Sequence, residues 1–254
     1  MTQPDAAART RSPEEDLLPK KEVSSVAASR LALAKSAITA TKAVLNFGAG
    51  NQVEALKKTK LNSMARLQVM RDDKYWEIAP EVAGIAAANP EALIAAKGDL
   101  AHGGNCGEHA WIAYHWLRQN AAGQNIQVSA KNGLDHAFVL VGDIQGADKD
   151  ADIAVSDPWP TQARACLWED HFAYTADRTQ IEDYASMVAD GESKKGAIAA
   201  GLRLSAEGQA YVHAKGSQKQ TDEMVGNSRE NHLWNHADTE ASGHKYNYVD
   251  KDGQ

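Results

Sequence analysis

Residues 124–156 constrain the fold most. From Gln124 to Lys131 apolar and polar positions alternate through Ile126, Val128 and Ala130, the period of a strand with one buried face. Asn132-Gly133 follows, a pair that turns a chain tightly between antiparallel strands because both residues tolerate left-handed backbone. His136 to Asp143 (HAFVLVGD) is apolar enough to be a strand covered on both faces. A turn-rich connection over 142–152 leads to a third strand, Ala151 to Ser156, ended by Asp157-Pro158, and Cys166 to Trp168 predicts a short fourth. Ahead of these strands, Cys106 to Gln119 reads as a helix with Ala110, Ala113, Trp116 and Leu117 along one side. A helix followed by an antiparallel meander predicts an α+β fold.

The flanks read differently. Residues 1–22, with Pro4, Pro13 and Pro19 among mixed charges, predict a disordered leader. Ser24 or Ser25 then caps a helix whose Ala27, Leu31, Ala34, Ile38 and Leu45 recur at helical spacing. A second helix over Asn51–Val69 is expected to form a hairpin with it. Pro80 and Pro90 open two short helices. Asp177 to Val188 reads as a helix through Ile181, Tyr184, Met187 and Val188, and two shorter helices follow over 194–215. Ser217 to Asn231 reads as polar loop, and the aromatic C-terminal segment is expected to pack back on the core. The expected organisation is a leader (1–22), a helical region (23–100), a core (101–175) and a helical C-terminal extension (176–254).

Composition removes several functions. Two cysteines in 254 residues exclude a disulfide scaffold and a four-cysteine zinc site. No apolar run approaches the roughly 20 residues of a membrane-spanning helix. The first 21 residues lack the apolar core of a Sec-type signal, so export is expected to use another route. Residues 1–75 carry a net charge of +5 and residues 76–254 a net of −12, which argues against a nucleic-acid-binding core. No phosphate-loop motif is present. His232 and His236 share a helical spacing near Glu230 and His244, but no His-Glu-x-x-His pattern accompanies them, so they read as exposed histidines. No metal and no cofactor is expected.

The chemistry concentrates at His102-Gly-Gly-Asn-Cys106. A cysteine at a helix start meets free amide groups that favour a thiolate, and the same amides can hold an oxyanion. Gly103 and Gly104 are expected to let substrate come close. A thiolate nucleophile needs a base and a group to orient it. His136 opens one strand and Asp157 closes its neighbour, so antiparallel pairing brings both to one sheet edge. Cys106, His136 and Asp157 are therefore the candidate nucleophile, base and orienting group. Gly104, Asn105 and Trp159 are candidates for the oxyanion and substrate walls. Glu108 and His109 lie in the first helical turn, Asp135 reads as a turn residue, and Cys166 as a buried, inert thiol.

Gly104-Asn105-Cys106, His136-Ala137-Phe138 and Asp157-Pro158-Trp159, in that order, resemble the transglutaminase-like branch of the papain-like superfamily. The resemblance covers roughly residues 100–172 and implies a core in which the nucleophile's helix packs on an antiparallel sheet. It further implies a thiol enzyme acting on protein amides, as a peptidase, glutamine deamidase or transglutaminase, with bacterial effectors and toxins the nearest picture. A target-cell site of action and a cognate inhibitor or chaperone belong to that picture. Gly103-Gly104-Asn105-Cys106-Gly107-Glu108 also resembles the nucleophile segment of arylamine N-acetyltransferases, without the Arg that precedes it there. The alternative from another class is a binding or adaptor protein on a degenerate version of the fold.

Overall fold

The computed structural model describes residues 18–235 and 245–252. Expectations for residues 1–17, His236 and His244 fall outside the described residues. In chain order the elements are β1 (Lys20–Val23), α1 (Ser25–Val44), α2 (Val53–Thr59), α3 (Asn62–Arg71), β2 (Trp76–Ile78), α4 (Pro80–Ala88), α5 (Pro90–Ala101), α6 (Cys106–Asn120), β3 (Asn125–Lys131), β4 (Ala137–Val141), β5 (Ala154–Ser156), β6 (Cys166–Leu167), β7 (Ile181–Val188), α7 (Lys195–Ala200), β8 (Leu202–Leu204), α8 (Ala206–Tyr211), α9 (Gln218–Gly226) and β9 (Asn247–Asp250).

The centre is a five-stranded antiparallel sheet in the order β6-β5-β4-β3-β7. Gly133, at φ 79°, makes the turn between β3 and β4. Alternation along β4 sends Val139 and Val141 to one face and Phe138 and Leu140 to the other. The first face is covered by Ala27, Leu31, Ala34 and Ala37 of α1 and by Ala110, Ala113, Tyr114 and Leu117 of α6. The alanines let both helices lie close to the strands. The second face is covered by Trp168, Ala173 and Ile144, with Phe172 packed against them. α1 thus belongs to the core, where it packs on α6 and β5 instead of pairing with α2.

Several elements differ from expectation for identifiable reasons. β1 uses residues expected in the leader and pairs in parallel with β9, which ties both ends of the described chain to α1. The helix expected over Asn51–Val69 breaks at Lys60 and Leu61, both left-handed at φ 51° and 64°. The Leu61 N–H donates to Leu56 O and the Lys60 N–H to Lys57 O, a Schellman closure with lysine where glycine is usual. Asn62 then donates to the carbonyls of Val212 (2.9 Å) and Ala214 (2.7 Å), fixing the new direction.

The helix expected over Asp177–Val188 is instead β7, paired to β3 along its length with a bulge at Val128/Ser129. Tyr184 and Val188, two of the residues that suggested a helical stripe, are more than half exposed. β8 pairs with β2 beside a second cluster formed by Val69, Met70, Trp76, Ala96 and Ile198. α9 lies in the stretch expected to be loop, and its Ser217/Gln220 capping box was a readable signal. Among the described residues no helix is long and apolar enough to cross a membrane.

Candidate active site

Cys106 is the first residue of α6 and is half-buried. The loop ahead of it turns at His102, which is left-handed at φ 52° and whose Nδ1 donates to Val44 O at 2.8 Å. The two glycines that follow serve packing rather than substrate approach. A Cβ on Gly103 would lie 2.6 Å from the Arg66 backbone, and one on Gly104 would overlap Glu108 Cβ. Glu108 is buried, accepts the Asn105 N–H at 2.6 Å and takes a two-point contact from Arg71 at 2.9 and 3.1 Å. Glu108 is therefore an anchor that fastens the loop ahead of Cys106 to α3, a role not evident from its favourable place in the first helical turn. Arg71 also lies within electrostatic reach of Cys106 and of the exposed Asp135.

His136 and Asp157 meet at the sheet edge as the antiparallel register of β4 and β5 requires. His136 Nε2 donates to Asp157 Oδ2 at 2.7 Å, and both groups are almost fully buried. Burial by itself pushes the imidazole pKa down. The Asp157 charge and hydrogen bond, with a further contribution from Cys106, reverse this and raise it to about 9. Burial likewise opposes the Asp157 charge, and His136 and His171 overcome it, holding the carboxyl well below its usual range. With Nε2 committed to Asp157, Nδ1 is the atom left for the thiol. It is buried with no formed hydrogen bond, so Cys106 lies beside it without being aligned onto it.

The structure thus brings Cys106, His136 and Asp157 together. Trp159 is buried against the His136 ring at 4.8 Å, and its indole N–H is spent on Asn51 Oδ1 at 3.1 Å, so it forms a wall and is not an oxyanion donor. Asn105 sits at the cap of α6, its Oδ1 buried without a partner. His109 Nδ1 donates to Asn105 O at 2.7 Å, and burial, with Lys42 nearby, lowers its pKa to about 3 against the pull of Asp157. Cys166 is buried beneath the far face of the sheet. His232 is left-handed at φ 51° and is exposed.

Three participants were not evident in the sequence. His171 Nε2 donates to the same Asp157 oxygen at 3.2 Å. Lys42, at the end of α1, donates to Pro160 O at 2.6 Å, and burial lowers its pKa to about 8 against the pull of Asp157. Gln52 donates to Trp159 O at 2.7 Å and accepts from Thr161 at 3.1 Å. Lys42 and Gln52 clamp the loop that carries Asp157. They lie 115 and 105 residues before it in the chain, so no local pattern links them to it.

His136, Asp157 and His171 offer ligand atoms within 4.8 Å of one another, close enough to consider a metal. The tautomers oppose it. A ligating imidazole needs a lone pair at the metal-facing nitrogen and normally donates from the other. His171 Nδ1 instead accepts the Ala173 N–H at 3.3 Å, which leaves the proton on Nε2, facing Asp157. A pair of hydrogen bonds to one carboxylate accounts for the cluster.

The arrangement holds a half-buried thiol at a helix start, a buried imidazole of high proton affinity beside it, and a carboxylate that fixes that imidazole. Compared with known proteins, the chain has no match: no family model, no curated protein and no solved structure is similar to it.

Proposed function

We propose that the protein is a thiol-dependent amide-bond enzyme with a core of the papain-like, transglutaminase-like kind, acting on a protein substrate. The observation that carries this reading is the buried His136, held by Asp157 on one side and influenced by the Cys106 thiol on the other. His136 already holds the thiol proton, and Cys106 Sγ adds as a thiolate to the amide carbonyl carbon. The developing oxyanion is met by first-turn N–H groups of α6, which have no acceptor within the helix. Asn105 adds a polar group there, since rotation of its amide exchanges oxygen for nitrogen. The C–N bond then breaks, and His136 passes the proton to the leaving nitrogen. Water attacks the thioester, its proton returns to His136, and the C–S bond breaks. An amine in place of water gives transamidation by the same steps. Asp157 fixes the tautomer throughout.

Iodoacetamide at about pH 6 tests the reading, because only an activated thiol reacts quickly there. Cys106 is expected to label far faster than Cys166, and equal slow labelling sinks the proposal. In a protein lysate, the active protein and Cys106→Ala are then compared by mass spectrometry. A new chain end, a Gln→Glu change or an isopeptide link identifies the reaction, and identical lysates count against activity on proteins. Cys106→Ala is expected to change stability by less than about 1 kcal/mol, since the side chain is small and half-buried.

A further inference from the structure

Among the buried titratable groups around Cys106, His136 and Asp157, His171 shares the Asp157 carboxylate with His136. His171 follows β6 and lies 14 residues after Asp157. It is 4 % exposed and held among the rings of Phe138 (4.8 Å), Phe172 (4.6 Å) and Trp168 (6.1 Å). Aromatic packing on several sides stops the ring from rotating. The Ala173 N–H fixes Nδ1 as an acceptor, so Nε2 carries the proton and directs it at Asp157 Oδ2. That same oxygen accepts His136, while Oδ1 accepts the Trp159 N–H at 3.2 Å.

We propose that His171 is a positioning residue for the base: an N–H donor that shares the Asp157 oxygen with His136 and so limits how strongly Asp157 holds the His136 proton. The inference rests on the proposed function for its purpose, though not for its test. An N–H aimed at Oδ2 stabilises the carboxylate charge and places the positive end of a dipole next to the His136 N–H. Both effects ease the proton off His136. This matters because a base held too tightly takes a proton from the thiol but returns it slowly to the leaving nitrogen. The groups facing His171 are Asp157 and His136, and its other neighbours are aromatic and apolar. Burial keeps its own pKa down, in spite of the pull of Asp157.

Two variants separate positioning from packing. His171→Phe keeps the aromatic volume and removes the donor, whereas His171→Gln restores a donor near the Nε2 position. The measurement is the His136 titration midpoint, followed by long-range 1H–15N correlation spectra. His171→Phe is expected to move it upward by ~0.5–1 unit, with His171→Gln close to wild type. An unchanged midpoint in His171→Phe overturns the inference, as does a Gln variant that behaves like Phe. If His171→Phe does not fold, the wild-type spectrum decides: His171 is expected to show a protonated Nε2 and an unprotonated Nδ1 at about pH 7, the tautomer set by the Ala173 N–H. A protonated Nδ1 overturns the inference. Iodoacetamide labelling on the same samples reports on Cys106 alone. Slow wild-type labelling with a shifted midpoint therefore counts against the proposed enzyme and not against His171.

Discussion

At the sheet edge His136 is buried and charged, its pKa raised to about 9, whereas inside α6 His109 and His115 are buried and neutral, their pKa values lowered to about 3 and 4. All three are cut off from water, so burial does not distinguish them. The difference is a carboxylate. His136 meets Asp157 directly, while His109 donates to a backbone carbonyl and His115 Nδ1 pairs with Ser193 Oγ at 2.9 Å. A neutral partner does not offset the cost of desolvating an imidazolium, and a charged one does. One fold therefore holds a charged histidine beside Asp157 and neutral histidines within the helix that starts at Cys106.

The largest break in this comparison comes from Asp157→Asn. His136 then loses its charged partner and is expected to titrate below 6.5, like His109, with activity falling at least about 100-fold. A His136 midpoint that stays near 9 in this variant would show that Asp157 is not what distinguishes the two regions. Next in size is Gly104→Ala. The added Cβ collides with Glu108 and pushes on the anchor that positions Cys106, costing about 1–3 kcal/mol in urea unfolding and slowing Cys106 labelling. Unchanged labelling would mean that this loop does not set the position of the thiol.

The pH dependence of stability separates the two kinds of histidine. His136 has a raised folded pKa, so its contribution is complete below about 6.5 and is lost as pH rises through about 9. His109 and His115 have lowered folded pKa values, so theirs is complete above 6.5 and is lost as pH falls toward about 4 and 3. The urea midpoint is expected to peak near pH 6.5, with about 1–3 kcal/mol lost on the alkaline side. Asp157→Asn should remove the alkaline limb and enlarge the acid one, because His136 then joins His109 and His115 as a buried imidazole of lowered pKa. The smallest effect is expected from His115→Gln, which keeps a hydrogen bond to Ser193. It should shrink the acid limb by the share of His115 and leave activity unchanged, and any large loss of activity would link the interior of α6 to the reaction.

The candidate site was largely legible because its signals are short-range. Glycines ahead of Cys106, the start of α6, the Asn132-Gly133 turn and Asp157-Pro158 each act within a few residues, and antiparallel register then joins the ends of neighbouring strands. His171 and Lys42 were not legible. His171 follows Asp157 by a stretch without periodicity, and Lys42 looks like any lysine at the end of a helix. The packing role of Gly103 and Gly104 is hidden in the sequence for a related reason: the groups a Cβ would meet there, on Arg66 and Glu108, are set by the fold.

By itself, the sequence determined the order of helix and strands from Cys106 to Ser156 and the placing of a cysteine at a helix start, since turn chemistry and side-chain periodicity are local properties of the chain. Tertiary structure decided the rest. Ile181–Val188 is a strand because the open edge of β3 offers its backbone hydrogen bonds, which outweigh the helical spacing of its side chains. His136 holds a charge because folding carries Asp157 to its buried ring, and His109 does not because folding brings it no comparable partner. Strand partners and the cost of burying charge depend on what surrounds a residue, and that is known only once the chain has closed on itself.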